Sequence, residues 1–454
     1  MTTPFTTGRL AWTLGIEDTC VYPPDRYGMF TLDEHALTDH DDRWRDDIRA
    51  ARDLGATAIR YGASWPLAHP APGRFDWAML DERLGFATEL GLDVIADLVH
   101  YGTPRWLEQA FADDGYVDAV AAFAGAFAEH FRGAVDHITP LNEPLTTASF
   151  SGLRGVWPPA LTGWDGWTTV TLNIAEGIAE ASAAVKASNP DAVIVHVEAA
   201  SLYTAGSAEH DGEAAQLSRV GFLPTDLAVG RVDDTHPLHA WLVRHGASPA
   251  RLDALRARPA GIDIMGVNYY PDLSPRRITA HPDSHEGSAG ESIQLAHNLW
   301  TDGLETSIRA FSTRYGLPIM ITETSIEGDD ELRRSWLHDS ANAVRELISG
   351  GVDIRAFTWW PFFDFVDWSY ASGGANIEEF EIPADVLAAR LAAHDGPRPV
   401  PREPFLRRMG LMGLDERDGA LVLRRTAAAD EFAKIAAATA RTGSTSTETE
   451  AVDV

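Results

Sequence analysis

Short β-rich runs alternate with longer amphipathic stretches from one end of the chain to the other. Strands separated by helical stretches imply right-handed βαβ units, whose strands pair in parallel. Eight such runs occur, and this number fits a closed (β/α)8 barrel better than an open sheet. The predicted strands are Ala11–Ile16, Ala58–Gly62, Asp93–Val99, His137–Leu141, Ala192–Val197, Ile262–Val267, Pro318–Thr322 and Ile354–Trp359.

The stretches between these strands carry the longer apolar period that is typical of amphipathic helices. The chain is therefore predicted to belong to the α/β class, as a TIM barrel. The predicted helices include Asp42–Leu54, Leu80–Leu90, Val117–Phe131, Asn173–Ala187, Gly303–Tyr315, Leu332–Ile348 and Ala427–Ala438.

The barrel is predicted to be one domain, residues 8–440, because no change of composition marks a second. A chain of 454 residues is long for one domain, but barrels grow by insertions in their loops. Two long insertions, Asp272–Leu299 and Ser369–Arg402, follow the sixth and eighth strands and should overhang the C-terminal face. The end of the chain, residues 441–454, has no apolar pattern, and we expect a disordered acidic tail there.

Acidic residues outnumber basic residues by 67 to 37, which gives a formal net charge of −30. A polyphosphate would meet net repulsion, so neither nucleic acid nor an anionic membrane is an expected partner. No apolar run approaches the ~20 residues of a membrane span. Cys20 is the only cysteine, which excludes an intrachain disulfide. Because the start of the chain lacks the segments of a secretory signal, we expect a soluble, cytoplasmic protein.

Two glutamates stand at the ends of predicted strands. Glu143 follows the fourth strand in the run Leu141-Asn142-Glu143-Pro144, and Glu323 ends the seventh in Ile321-Thr322-Glu323-Thr324. In a barrel both would point into the mouth from nearly opposite sides. Cleavage of a glycosidic bond needs such a pair, because one carboxyl protonates the leaving oxygen while the other attacks the sugar or activates water. A single strand-end Glu can instead cap a helix or pair with an arginine.

With these two motifs the chain resembles the retaining β-glycosidases of glycoside hydrolase family 1. Asn-Glu-Pro is similar to the acid/base motif of that family, and Ile-Thr-Glu-Thr to its nucleophile motif, usually Ile-Thr-Glu-Asn-Gly. The resemblance covers about Leu10 to Ala436. The other matching runs, in family order, are Asp39-His40, Asp46-Asp47-Ile48, Arg60–Pro66, Leu98–Tyr101, Gly266–Tyr270, Trp360–Trp368 and Met409–Leu411 through Asp415 to Phe432.

The resemblance implies four catalytic positions in this chain. Glu143 would be the general acid/base and Glu323 the nucleophile. Two carboxyl groups about 5–5.5 Å apart cannot both ionise cheaply, so the nucleophile needs a cation and donors to stay anionic. Arg60 would supply the charge and Tyr270 a hydroxyl. Glu143 would keep its proton until the glycosyl-enzyme forms.

The resemblance also implies a set of sugar-binding residues. Sugars need hydroxyl partners and flat apolar faces, which here would come from polar side chains at strand ends and from two tryptophans that act as stacking walls. The predicted substrate-binding residues are Glu17, His100, Tyr101, Asn142, Asn268, Trp360, Asp367 and Trp368.

Three of these positions depart from the family pattern. Tyr101 stands where the family usually has Trp, and Asp367 where it has Glu. Glu17 is the best substitute for a missing sugar-binding Gln. The identity of the sugar is therefore left open. We expect Asp367, together with the insertion Ser369–Arg402, to determine which glycoside is accepted, because Asp367 should face the edge of the ring where sugars differ.

Neither a cofactor nor a metal ion is expected. No Gly-x-Gly-x-x-Gly or Gly-Lys-Ser/Thr loop follows a predicted strand, and the 16 His show no metal-ligand spacing. The leading hypothesis is a retaining β-glycosidase that hydrolyses a small β-glycoside from its non-reducing end. Two alternatives stay open, namely a transglycosylase with the same carboxylates and a non-catalytic sugar-binding barrel. The oligomeric state is also open, and a homo-oligomer is one of the options.

Overall fold

The computed structural model describes residues 3–6, 8–280, 292–378, 382–396 and 398–448, with side chains up to residue 439. Eight parallel strands close into a barrel in which each strand pairs with its neighbours in the chain, and the first pairs with the last. The predicted (β/α)8 barrel is confirmed. The strands are β1 (Ala11–Ile16), β2 (Ala58–Gly62), β3 (Asp93–Asp97), β4 (His137–Thr139), β5 (Val193–Ala199), β6 (Ile264–Asn268), β7 (Ile319–Glu323) and β8 (Ile354–Trp359).

Three strands, β1, β2 and β8, have the predicted bounds. The strands β3 and β4 end two residues earlier than predicted, and the chain turns shortly after each of them. Tyr101 and Glu143 lie in these turns with φ angles of 67° and 43°. Residues other than Gly rarely adopt this left-handed backbone conformation, which is incompatible with an extended strand. The side chains of Tyr101 and Glu143 therefore point in other directions than they would in extended strands.

The helices pack around the barrel, and their apolar faces cover the strands. The predicted helices begin and end within a few residues of the observed ones, with two exceptions: α7 begins ten residues earlier than predicted, and α15 ends ten residues later. The α-helices of the described residues are α1 (Glu34–Leu37), α2 (His40–Asp53), α3 (Trp65–Ala68), α4 (Ala78–Glu89), α5 (Tyr116–His130), α6 (Pro144–Ala148), α7 (Gly163–Ser188), α8 (Asp211–Val220), α9 (Leu223–Ala228), α10 (His239–Arg244), α11 (Pro249–Ala257), α12 (Trp300–Tyr315), α13 (Asp330–Ser349), α14 (Ala384–Asp395) and α15 (Ala427–Glu448).

Both predicted insertions contain regular structure. In the first, Pro275–Ala280 and Ser292–Ala296 pair antiparallel and form a sheet with Leu202–Ala205. The second contains α14. Additional short strands pair as Cys20–Val21 with Leu32–Asp33, Phe365–Val366 with Leu406–Arg407, and Met412–Arg417 with Ala420–Arg425. A π-helix spans Ser149–Leu153, and 3-10 turns span Pro4–Thr6, Asp25–Tyr27, Ala110–Ala112, Ala208–His210, Trp368–Tyr370 and Glu403–Phe405.

The last helix, α15, runs to Glu448 and so continues eight residues past the predicted end of the domain. Residues 449–454 lie outside the described residues, and for them the disordered tail stays a prediction. No helix within the described ranges is both long and apolar enough to cross a membrane.

The interior of the barrel is packed with side chains at its N-terminal end. Phe5 lies there with 1% of its surface exposed, and its ring centre is 4.6 Å from that of His137. Apolar side chains from the strands, among them Ile95, Val197 and Met320, complete this inner cluster. The closed end leaves the C-terminal face as the side of the barrel on which a site can open.

Candidate active site

A cavity of about 250 Å³ opens at the carboxyl ends of the strands. It contains side chains from the ends of β4, β6 and β7 and from the loops that follow β3 and β8. Eight of the twelve residues predicted from the sequence line it. They are Tyr101, Glu143, Asn268, Tyr270, Glu323, Trp360, Asp367 and Trp368.

The guanidinium of Arg60, on β2, is the centre of a buried polar network beneath this cavity. Its Nη1 donates to Oε1 of Glu323 at 2.6 Å and to Oε1 of Glu17 at 2.7 Å. Its Nη2 donates to Oδ2 of Asp97 and to Oδ1 of Asn142, both at 2.7 Å. The side chain has no solvent exposure. One arginine therefore fixes four side chains from four different strand ends.

Glu323 has a charged and a neutral donor. Arg60 binds Oε1, and the hydroxyl of Tyr270 donates to Oε2 at 2.6 Å. Burial and the neighbouring Glu143 carboxyl raise the pKa of Glu323 to about 8, although Arg60 and Tyr270 lower it. Burial and the neighbouring carboxyl therefore oppose a negative charge on Glu323, and the contacts with Arg60 and Tyr270 favour it.

Glu143 is held by two neutral donors instead. Tyr101 donates its hydroxyl to Oε2 at 2.6 Å, and Asn268 donates Nδ2 to Oε1 at 2.8 Å. The amide of Asn268 is oriented by Thr322, whose hydroxyl donates to Oδ1 at 2.6 Å. No cation is among these partners of Glu143, in contrast to the partners of Glu323.

Three predicted sugar-binding residues lie behind the cavity wall rather than on it. Glu17 has no exposed surface, and its carboxyl binds Arg60. Asn142 is also fully buried, and its Nδ2 donates to the hydroxyl of Tyr101 at 3.0 Å. His100 binds Asp97 through Nδ1 at 2.9 Å. Tyr101 contacts Asn142 and His100, whereas Glu17 lies beneath Trp360, and a sugar-binding role for all three stays a prediction.

Burial raises the pKa of Glu17 well above its usual value, and the neighbouring carboxylates Glu323 and Asp97 add to the effect although Arg60 opposes it. Arg60 is thus shared by three buried carboxyl groups, those of Glu17, Asp97 and Glu323.

Asp97 in the network and Glu198 beside the Glu143 turn were not predicted from the sequence. Asp97 ends β3, whereas the predicted strand ran on to Val99 and so placed Asp97 inside the strand, where it carried no strand-end signal. Glu198, on β5, is fully buried and accepts the backbone N–H groups of Leu145 and Ala199 at 3.1 and 3.0 Å. These bonds hold the turn that carries Glu143.

The two tryptophans predicted as walls line the cavity from the loop after β8. Trp360 donates its indole N–H to the carbonyl of Glu17 at 2.7 Å and packs edge-on against Tyr270. The ring of Trp368 lies 5.4 Å from that of Tyr101. The indole nitrogen of Trp368 is buried and has no hydrogen-bond partner among the described residues. Flat apolar faces and one available donor are suited to a sugar ring.

Asp367 is fixed by two arginines. Arg390 on α14 binds Oδ1 at 3.0 Å, and Arg407 binds Oδ2 at 3.2 Å. Although burial opposes them, Arg407 and Arg390 hold the pKa of Asp367 below its usual value. Because α14 is part of the second insertion, that insertion is joined directly to the cavity wall.

The opposite part of the cavity, beyond Glu143, carries a group of large apolar side chains beside polar ones such as Arg154, Arg276 and Gln294. It is formed by the loops after β4, β5 and β6. The apolar side chains on this side are Leu145, Phe150, Leu153, Trp164, Trp167, Leu217, Val220 and Leu273.

The arrangement provides a carboxylate stabilised by a cation and, in the same cavity, a carboxyl group that can give and take a proton. Within the described ranges, no three His, Cys, Asp or Glu side chains are grouped as metal ligands would be. These two groups can carry out a displacement with acid assistance, which is the chemistry of a carboxylate pair.

Comparison with known proteins gives a consistent result. The sequence model of glycosyl hydrolase family 1 matches residues 29–373. The bifunctional β-D-glucosidase/β-D-fucosidase of Bifidobacterium breve is 25% identical over 383 residues, which are 72% of this chain and 80% of the relative. The thermostable β-glucosidase B of Thermobispora bispora is 25% identical over 364 residues, or 73% and 74% of the two chains.

Solved structures show the same fold. The family 1 β-glucosidase from Thermotoga maritima superposes with a TM-score of 0.73 and covers 95% of this chain and 97% of its own, at 18% identity. The complex of that β-glucosidase with azafagomine has a TM-score of 0.74 at 17% identity, with 95% and 98% covered. At this identity the likeness concerns the barrel alone.

The burial of the Glu198 carboxyl can be tested by the pH dependence of stability, without a measurement of activity. Burial raises the pKa of Glu198 to about 8, although its backbone donors lower it. The proton on Glu198 contributes fully to the free energy of unfolding below the pKa that this carboxyl has in the unfolded chain. The contribution is lost as the pH rises to about 8. Glu198→Gln resembles the protonated form. Its free energy of unfolding should equal that of the parent protein at pH 5, and the difference in its favour should then grow by at most ~1.4 kcal/mol per pH unit.

Urea unfolding at several pH values measures this difference. The exposed Glu89→Gln is the matched control and should follow the parent curve throughout. A parallel course of the Glu198→Gln and parent curves from pH 5 to pH 8 would contradict the prediction.

Proposed function

The chain belongs to glycosyl hydrolase family 1, and we propose that it is a retaining β-glycosidase that removes the terminal sugar of a small β-glycoside from the non-reducing end. It acts on O-glycosyl bonds, as its β-glucosidase relatives do. One observation carries the proposal: two carboxyl groups line the same cavity, and of the two Glu323 is bonded to Arg60 while Glu143 is bonded to neutral donors.

In the first step, an oxygen of Glu323 attacks the anomeric carbon while Glu143 gives its proton to the glycosidic oxygen. The bond to the leaving group breaks, the leaving group departs as an alcohol, and a glycosyl ester forms on Glu323. Arg60 and Tyr270 keep the attacking carboxyl anionic before the bond forms.

In the second step, water attacks the same carbon and the ester breaks. Glu143 is now a carboxylate that faces an uncharged ester, so it can accept the proton of the attacking water. The sugar leaves with its original anomeric configuration, because the carbon has been inverted twice. Glu323 returns as an anion beside Arg60, and both carboxyl groups regain their starting states.

We further propose that the sugar lies against the wall that carries Asp367. Trp360 and Trp368 offer stacking faces there, and Asn268 offers an amide. Asn142, His100 and Glu17 would then act through Tyr101 and Arg60, since they lie behind the wall. A cavity of about 250 Å³ suits one sugar with a compact leaving group better than the interior of a polysaccharide.

The leaving group lies beyond Glu143, because the acid must reach the oxygen that is released. That part of the cavity is bordered by Leu145, Phe150, Leu153 and Leu273, among other apolar side chains. An aromatic leaving group would therefore find apolar faces to pack against there.

Replacement of the proposed nucleophile gives the first functional prediction. Glu323→Ala should lower kcat for an aryl β-glycoside by roughly 10³-fold or more, because no group remains to form the ester. Azide should restore part of the rate by attacking in the vacated space, with formation of a glycosyl azide. Turnover at the parent rate in Glu323→Ala would refute the assignment.

Replacement of the proposed acid should depend on the leaving group. Glu143→Gln keeps the bond from Asn268 but has no proton to give, so alkyl glycosides should lose about 10²–10⁴-fold in kcat/KM. Dinitrophenyl glycosides, whose leaving group needs no protonation, should lose far less in the first step. Equal losses for the two substrates would show that Glu143 is not the acid.

The wall around Asp367 should determine sugar specificity. Asp367→Glu lengthens the carboxylate, and Arg390→Gln removes its link to α14. Each should change the rank order of kcat/KM over a panel of β-glycosides that differ by one hydroxyl, by about 10-fold for the affected epimer. Arg398→Gln, exposed in the same insertion, is the control and should keep the parent order. An unchanged order in both test variants would place specificity elsewhere.

A further inference from the structure

The hydroxyl of Tyr101 occupies an unusual place in the site, because it contacts both the proposed acid/base and the buried network. It donates to Oε2 of Glu143 at 2.6 Å and accepts from Nδ2 of Asn142 at 3.0 Å. The side chain is 3% exposed, and its backbone has a φ of 67°. A residue held in this sparsely populated region is maintained by its surroundings. Tyr101 is also the position at which the chain departs from the tryptophan usual in the family.

The direction of the bond follows from the neighbouring amide. Nη2 of Arg60 donates to Oδ1 of Asn142 at 2.7 Å, which fixes that oxygen toward the arginine. Nδ2 of Asn142 then faces the hydroxyl oxygen of Tyr101 and donates to it. Since the oxygen accepts from Asn142, its own hydrogen points to Glu143. The same arginine that pairs with Glu323 thus orients a donor on Glu143.

Burial, and then the carboxyl of Glu143, raise the pKa of Tyr101 well above its usual value, so the hydroxyl keeps its proton throughout the working range. Asn268 makes the other bond to Glu143, at Oε1. The titratable or charged groups arranged around Glu143 are His100 and Tyr101 after β3, Glu198 on β5, Tyr270 after β6, Glu323 on β7 and Arg60 on β2.

We propose that Tyr101 is a positioning residue that stabilises the ionised form of Glu143 and thereby sets the alkaline limit of activity. The inference rests on the proposed function, in which Glu143 must be protonated for the first step. A hydrogen bond to a carboxylate favours the charged form. The bond therefore makes Glu143 give up its proton at a lower pH, and it also supports the carboxylate that activates water in the second step.

The test is the pH dependence of kcat/KM for an alkyl β-glycoside, which needs protonation of its leaving group. Tyr101→Phe keeps the ring and removes the donor. The fall of kcat/KM on the alkaline side of the pH profile, the alkaline limb, should therefore move to higher pH by about one pH unit. Tyr116→Phe is the matched control: it also removes a buried tyrosine hydroxyl, but one without a hydrogen-bond partner among the described residues. Its limb should coincide with that of the parent enzyme.

A limb of Tyr101→Phe that coincides with the parent limb would overturn the inference. A structural role alone would lower activity equally at all pH values without moving the limb. If Tyr101→Phe does not fold, 3-fluorotyrosine at position 101 supplies the same shape with a more acidic hydroxyl. Its limb should move down in pH, and an unmoved limb would again overturn the inference.

A parallel profile of Glu143→Gln separates this inference from the proposed function. If Glu143 is the acid, its alkaline limb should disappear in that variant, whatever Tyr101 does. A limb that persists in Glu143→Gln would refute the proposed role of Glu143. A limb lost in Glu143→Gln but unmoved in Tyr101→Phe would refute the role of Tyr101 alone.

Discussion

The buried guanidinium of Arg60 is the interaction on which the site depends. It holds Glu323, Glu17, Asp97 and Asn142 through bonds of 2.6–2.7 Å, with no access to solvent. A buried cation is stable only when it is paired and hydrogen-bonded, and both terminal nitrogens of Arg60 bind partners, so the four strand ends are held together as one unit. Removal of any carboxylate partner would leave part of that charge without compensation.

The same network gives the two carboxyl groups different electrostatic surroundings. Glu323 receives the charge of Arg60 directly, whereas Glu143 receives it only through Asn142 and the hydroxyl of Tyr101. A direct contact with a cation favours ionisation much more than a neutral donor does. The proposed retaining mechanism needs such an asymmetry, an anion opposite a proton donor, and the placement of one arginine side chain supports it.

The barrel and the carboxylate pair could be predicted from the sequence because both depend on patterns that are local in the chain. Alternation of strands and helices determines the order of the barrel, and strand ends of a parallel barrel meet at one face. The partners of Asp367 could not be predicted, since both are distant in the chain: Arg390 reaches it from α14 of the folded insertion, and Arg407 from the short strand that pairs with Phe365–Val366. The burial of Asn142 and His100 behind Tyr101 depends on a single left-handed residue, which no hydrophobic pattern indicates.

The central claim is that Glu323, held as an anion by Arg60, forms a covalent bond with the sugar. Intact-mass spectrometry tests it most directly. The enzyme is incubated with the dinitrophenyl 2-deoxy-2-fluoro derivative of the sugar that is turned over fastest, because the fluorine slows release of the ester. The predicted result is one added glycosyl group per chain, mapped by peptide sequencing to Glu323. Turnover of the parent glycoside with no adduct, or an adduct on another residue, would contradict the claim.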